Sequence, residues 1–409
     1  MAWTDAKATQ QQTKAHNSRL VLSTIYQSDQ ISRATVARRT ALSRTSVGDA
    51  VGELLDRGLV EEIGRGRPSR GRGKPPILLR VNGDARHLVG VDLSGTDFRG
   101  AVVNVRGEVR HALSLPRGER SGTEALDVVY ALLDRLVSQA SAPVLGLGIG
   151  TPGLIDTDRG SQVHWAVNLN WVDVPLRELL ENRYGVPVYL LNDSQAAAMG
   201  EYFFGSGHGS SNLVVIKCEE GLGAGIVLGG QLFRGDHFGA GEIGHVVLTH
   251  GGARCRCGNI GCLETMASAA AIVRAARQVA NGWAGDERLD IDGVLAACEA
   301  GDAGVRQVVD SAARALGLAI AALVGALNVR HIVIAGQVTR LGDIFLDTVR
   351  QEVLGRALAA LARETRVDYS VIGPQLTALG AAAVLLHEEL GVWPLRAPQP
   401  RRVGAAGRD

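Results

Sequence analysis

Apolar residues recur at helical spacing from Asn17 to Ser28 (NSRLVLSTIYQS), and again after Ser43, where Val47, Val51, Leu54 and Leu55 fall on one face. Ser32 and Ser43 stand where two following helices begin and can cap them. Ala41-Leu42 makes the turn between these helices, and Gly58 is placed to stop the last. Leu59–Ile63 and Ile77–Val81 then alternate as two short strands around the segment GRGRPSRGRGKPP. Three short helices followed by a basic hairpin describe a winged helix-turn-helix over residues 15–82.

From residue 86 the pattern changes. Leu88–Asp92 is a short apolar strand ending in DLSGT, and Phe98–Val105 pairs with the segment from Glu108 through a turn at Gly107. An amphipathic helix spans Thr123–Ala140, and the strand Val144–Ile149 ends in GTPG. Near Leu213 the opening repeats as NLVVIKCEEGLGAGIVLGGQLFRG, a strand, a Gly-rich turn and a second strand. Two α/β halves, each opened by a hairpin, close on a central cleft. No uninterrupted run of about 18 apolar residues predicts a membrane span. The start, MAWTDAKATQQQ, has no apolar signal-peptide core, so a cytoplasmic protein is expected. Residues 1–14 and the Pro/Arg/Gly-rich stretch 393–409 read as disordered.

At 409 residues and 46% hydrophobic content, the chain has material for two or three folding units. Its net charge of +1 hides an asymmetry. Residues 1–85 carry 14 Lys/Arg and 8 Asp/Glu, whereas the remainder carries 29 and 34. A basic head on an acidic body points to a polyanion, here a double-stranded DNA operator. The third helix would enter the major groove through Arg44, Thr45, Ser46 and Asp49, with Arg33 on the preceding helix. Arg44 suits either a guanine edge or a phosphate. In the wing, Arg65, Arg67, Arg70, Arg72 and Lys74 can anchor to phosphates or reach a minor groove.

The segment GEIGHVVLTHGGARCRCGNIGCLETMAS gathers His245, Cys255, Cys257 and Cys262 in an H-x9-C-x-C-x4-C pattern. Such a set suits a closed tetrahedral Zn2+ site with a structural role. Glycines 251, 252, 258 and 261 let the loop turn tightly. With no secretory signal, disulfides are the weaker reading. Cys218 and Cys298 sit in apolar stretches and read as buried thiols.

The body resembles the ROK family, named for its repressors, open reading frames and kinases, and the winged head matches the repressor branch. The resemblance rests on VGVDLSGT, GIGTPGLID, VNLNWVDVPL, LLNDSQAAAMGEYFFG, the Cys-rich segment with its flanking glutamates, and the late ALGAAAVLL. It implies an actin-like, ribonuclease-H-like, two-lobed α/β domain behind the head, usually dimeric or a dimer of dimers. Lobe 1 would take residues 86–200 and 375–392, and lobe 2, with the zinc loop, residues 201–374. The last helix, Gln375 to Leu390, would return to the first lobe. In the family's sugar kinases the aspartate of an Asn-Asp pair is the general base, which maps here to Asn192 and Asp193. The resemblance further maps Gly153, Asn168, Glu242, His245 and Glu264 to the sugar site. Zinc on His245 and Cys262 would brace Glu242 and Glu264.

The phosphate-binding turns depart from the kinase pattern. Ser94 replaces a glycine and Asp97 follows Thr96 in the first turn, and the second reads Cys218-Glu219-Glu220-Gly221. Two glutamates where backbone N–H groups should face a phosphate are electrostatically hostile. Ile334-Ala335-Gly336-Gln337 also lacks the expected double glycine. The sequence therefore predicts a sugar-responsive DNA-binding regulator, a repressor of carbohydrate metabolism, without kinase activity. The alternative is an ATP-dependent sugar kinase carrying a DNA-binding head.

Overall fold

The computed structural model describes residues 10–28, 30–66, 75–156, 162–280 and 289–393. The head contains α1 (Gln10–Tyr26), β1 (Ile31–Ser32), α2 (Arg33–Thr40), α3 (Arg44–Asp56), β2 (Val60–Arg65) and β3 (Ile77–Val81). Both expected caps form: Ser32 Oγ accepts from the Thr35 amide at 3.3 Å, and Ser43 Oγ from the Ser46 amide at 3.0 Å. Gly58, at φ 67°, turns the chain out of α3. The strands order as β1-β3-β2, with β2 and β3 antiparallel, so the wing is part of a sheet.

Two terminal expectations are corrected. Residues 10–14 are not disordered but form the first turns of α1, where Lys14 pairs with Glu53 of α3 at 3.5 Å. That stretch is polar, so it carries no apolar period to reveal it. Trp393, assigned to the tail, packs its ring on Tyr202 and Phe203, both with centroids at 5.5 Å. The rest of both predicted tails, 1–9 and 394–409, lies outside the described residues.

The body holds two five-stranded sheets. The first uses β4 (His87–Asp92), β5 (Asp97–Asn104), β6 (Val109–Pro116), β7 (Val144–Thr151) and β11 (Val188–Asn192). The second uses β12 (Leu213–Cys218), β13 (Leu222–Leu228), β14 (Gln231–Phe233), β15 (His331–Ala335) and β16 (Arg366–Tyr369). Read from the hairpin edge, the orders are β6-β5-β4-β7-β11 and β14-β13-β12-β15-β16. Each half thus has three antiparallel strands followed by two parallel ones, the duplication expected from the repeated hairpin. A small antiparallel sheet of β8 (Leu154–Asp156), β9 (Gln162–Ala166) and β10 (Trp171–Val174) stands over the cleft.

The first sheet is backed by α4 (Gly122–Ser138) and α5 (Leu176–Tyr184), and the second by α7 (Glu264–Ala267), α8 (Ala269–Val279) and α9 (Ile291–Glu299). α10 (Ala303–Leu327) packs on these three as well as on α11 (Asp343–Arg356) and α12 (Ala359–Ala362), and α11 also touches β16. By length and composition α10 could cross a membrane. Its Val305, Val309, Leu316, Ile320 and Val324 are instead buried in the core of the second lobe. Cys218 and Cys298 are buried free thiols, as expected.

Two helices tie the halves together. α6 (Asp193–Phe204) is buried from Ser194 to Phe203 and lies against β12 and β13 as well as β7 and β11. α13 (Leu376–Glu388) returns to the first sheet, packing on β4, β7 and α6. The approach is backbone to backbone. A Cβ on Gly90 would lie 1.9 Å from the Ala378 carbonyl oxygen, and one on Gly148 1.9 Å from that of Ala381. A Cβ on Gly380 would lie 1.7 Å from the Ala196 oxygen. One apolar cluster runs unbroken from Val21, Ile25 and Leu54 of the head into α6 and α13.

Gly148→Ala should therefore destabilise the protein by about 1–3 kcal/mol through overpacking. Gly325→Ala in α10, where nothing lies within 4 Å, should stabilise it by about 0.5–1 kcal/mol through helix propensity. Urea unfolding of both variants checks the opposite signs.

Candidate functional site

The first turn of each lobe and the start of α6 meet at the floor of a cavity of about 230 Å3. Lys217, on β12, is the centre of that floor and is 5% exposed. Its Nζ lies 3.0 Å from Asp193 Oδ2, 3.3 Å from Asp92 Oδ2 and 3.9 Å from Glu219 Oε2, and it donates to Ser94 Oγ. Burial alone would lower its pKa, but Asp193, Asp92 and Glu219 outweigh burial and hold it above the ordinary lysine value. Asp92 is also buried, which opposes ionisation, yet Lys217 and Ser94 keep its carboxyl below the usual range. Burial pushes Glu219 up, against the pull of Lys217, and Arg99 stands 3.6 Å from it. Part of the phosphate repulsion expected from Glu219 is thus absorbed by buried cations, while Glu220 stays exposed at the cavity.

All seven residues expected at a sugar site line this cavity. Gly153 sits at φ 95°, where a Cβ would lie 2.1 Å from the Trp165 carbonyl oxygen. Its own carbonyl accepts from Asn192 Nδ2 at 3.0 Å, while Asn192 Oδ1 accepts from the Ser194 amide at 2.9 Å. Asn192 is therefore engaged in capping α6 and fixing the Gly153 loop, a positioning role beside Asp193. Asn168 accepts from Arg256 at 2.7 Å through Oδ1, leaving its amide to donate. Glu264 Oε2 accepts from the Leu222 amide at 3.1 Å. Glu242 precedes a 3-10 turn, Ile243–His245, and its Oε2 lies 3.7 Å from His245 Nε2, so the two share a side as expected. Burial, with Asp193 and Glu264 nearby, lifts the Glu242 carboxyl to about 7. Trp165, in β9, adds a half-exposed apolar wall.

The ligand atoms of His245, Cys255, Cys257 and Cys262 all lie within 4.8 Å of one another. Cys257 and Cys262 sulfurs are 3.6 Å apart, and Cys255 Sγ is 3.5 Å from His245 Nδ1. Tetrahedral ligands about 2.3 Å from a metal stand roughly 3.8 Å apart, whereas a disulfide needs about 2.05 Å. Burial and crowding by the other cysteines push the Cys262 thiol up to about 12. The four residues could hold a metal ion through Nδ1 and three sulfurs, leaving Nε2 facing Glu242.

In the head, Arg44, Thr45 and Asp49 are exposed near the start of α3. Ser46 is half-buried and shares its hydroxyl with Ser43 at 2.9 Å, so it serves the cap rather than standing free. Arg33 is likewise engaged, donating to Glu62 of β2 at 2.8 Å. Arg65 is exposed at the end of β2. Arg67, Arg70, Arg72 and Lys74 lie outside the described residues. Sequence reasoning missed Lys217, whose signal is a charge set inside the apolar run LVVIKC, and it missed Arg256 and Trp165.

The ROK family model matches residues 88–388. The putative xylose repressor of Caldicellulosiruptor sp. strain Rt8B.4 is 33% identical over 357 residues, 83% of this chain and 88% of that protein. The glucokinase of Halalkalibacterium halodurans is 40% identical over 280 residues, 65% of this chain and 84% of that protein. The crystal structure of a ROK family transcriptional regulator, a homologue of the Escherichia coli MLC protein, superposes with a TM-score of 0.79. That likeness carries 28% identity and covers 93% of this chain and 98% of the other. The glucokinase match stops short of the full chain, whereas the regulator match takes in the head as well. The two matched sheets and the winged head agree with a two-lobed, actin-like ROK regulator, and the chain belongs to the ROK family.

Proposed function

We propose that this protein is a sugar-responsive transcriptional repressor whose head binds an operator as part of a homodimer. The observation that carries the reading is convergence. Asp193, Glu242, Glu264 and Asn168 share one cavity, in a chain whose exposed Arg44, Thr45 and Asp49 stand at the start of a capped α3. Carboxylates and an amide around an apolar wall suit a polyol, whose hydroxyls both donate and accept. The relatives named repressors support regulation over catalysis, and the setting is the cytoplasm, with the DNA.

Zinc is the metal that fits one imidazole and three thiolates. Held there, it supplies no chemistry and fixes His245, which braces Glu242, while Cys262 leads directly into Glu264. The kinase alternative is supported by Asp193 and the glucokinase relative. Against it stand Lys217, which is paired to the would-be base, and Glu219 and Glu220 in the phosphate turn.

α6 supplies the connection between pocket and head. Asp193 begins it at the cleft. Tyr202 and Phe203, near its end, hold Trp393, whose carbonyl accepts from Gln27, just past α1, at 2.9 Å. Arg106 closes the same joint, donating to the Tyr26 carbonyl at 2.6 Å with its guanidinium 4.7 Å from that ring's centroid. A sugar shifts the head only through its differential affinity for two arrangements of this joint.

A thermal-shift screen of monosaccharides, followed by release of DNA fragments selected by the protein, tests the main reading. A hit raises Tm and weakens DNA binding, whereas robust ADP release with a hexose, abolished by Asp193→Asn, overturns it. Cys257→Ser should drop metal content below one zinc per chain and weaken sugar binding about tenfold or more, measured by elemental analysis and calorimetry. Trp393→Ala should retain both DNA and sugar binding yet lose most of the sugar-driven release, read by fluorescence anisotropy. Normal release in that variant rules out this joint as the link.

A further inference from the structure

Resting on the sugar-sensing reading, we infer that the effector is a neutral, unphosphorylated sugar. The cleft's cations are outnumbered by its carboxylates: Lys217 and Arg256 share it with Asp193, Glu219, Glu220, Glu242 and Glu264. An ammonium has three N–H donors, and those of Lys217 face Ser94 Oγ, Asp193 Oδ2 and Asp92 Oδ2, with Glu219 as a fourth neighbour. Arg99 stands against Glu219. Arg256, on the opposite wall, donates to Asn168 Oδ1 at 2.7 Å.

What the cavity presents to a ligand is therefore mainly acceptors. Asp193 keeps Oδ1 for a hydroxyl, since only its Oδ2 meets Lys217. Glu220, Glu242 and Glu264 line the same space. Sugar hydroxyls donate to all of these. A phosphate monoester carries roughly −1.5 to −2 charge near neutral pH and brings acceptor oxygens, so it would meet an excess of like charge.

The adjoining cavity, lined by Arg117 and Arg256, is where a phosphate arm could also seek a cation. There Arg117 donates to the Arg120 carbonyl at 2.7 Å and reaches the Gly95 carbonyl at 3.5 Å. Glu119 and Glu220 line that space as well. The second chamber thus repeats the condition of the first: guanidinium groups held by backbone or amide oxygens, with carboxylates beside them.

Calorimetry on the full chain decides the matter, using D-xylose, D-glucose and N-acetyl-D-glucosamine beside the phosphate monoester of each. The expected result is that one neutral sugar binds and its own ester binds at least about 100-fold more weakly. Glu220→Gln, which leaves the buried ion cluster intact, should narrow that ratio several-fold. A ratio unchanged by this substitution overturns the assignment of selectivity to the cleft carboxylates. An ester that binds as tightly as its parent sugar, or more tightly, overturns the inference and leaves sugar sensing standing. Silence from both classes overturns sugar sensing, and the inference with it.

Discussion

A single buried ammonium holds the two lobes together at the floor of the cleft. Lys217 comes from the second sheet, while Asp92 and Asp193 come from the end of the first sheet and the start of α6. Buried charges are tolerated only when paired, and removing one partner of a buried pair typically costs about 3–5 kcal/mol. Separating the lobes at this point would strand Asp92, which is 3% exposed. A pivot about the ion cluster would not. The cluster therefore sets the geometry of the pocket and also the kind of motion the pocket can drive.

α6 and α13 extend that constraint to the head. Because α6 is buried from Ser194 to Phe203 and α13 crosses it where Gly380 meets the Ala196 carbonyl, neither helix can slide without steric overlap. Interfaces packed this closely change in discrete steps rather than by continuous deformation. The head shares its apolar core with these helices, so it is not a bead on a flexible string. On the proposed reading, a ligand at Asp193 acts at one end of a stiff element whose other end seats Trp393.

Much of this was legible in the sequence because the signals were local. Ser32, Ser43 and Gly58 announce the head's helices by cap and stop chemistry. The repeated hairpins announce two matched sheets, and H-x9-C-x-C-x4-C announces the knuckle. What stayed hidden depends on distance in the chain. Nothing near Lys217 in sequence shows that Asp92, 125 positions away, is its partner. Glu219 therefore read as a bare repulsive charge, when Lys217 and Arg99 partly neutralise it. The partner of Arg33, Glu62 of β2, was likewise hidden, because only the folded head brings the two together. The start of α1 was missed for the opposite reason: its first turns are polar, and the contact with Glu53 that steadies them is tertiary.

On the proposed reading, the division of labour along the chain separates the groups assigned to a sugar from the turns assigned to a phosphate. The hydroxyl-facing groups lie on the Asn168 loop, the start of α6 and the metal knuckle. The phosphate turns lie elsewhere, at Asp92–Thr96 and Cys218–Gly225. Lys217 is where the two sets touch, through Asp193. Glu242 and Asn168 are held from outside those turns, by His245 and Arg256, whereas Glu264 leans on the Leu222 amide of the second turn. The buried ion cluster around Lys217 meanwhile fixes Asp193 and braces the lobes. On the proposed reading, recognition and phosphate handling are built on different elements that meet at two carboxylates, Asp193 through Lys217 and Glu264 through the Leu222 amide.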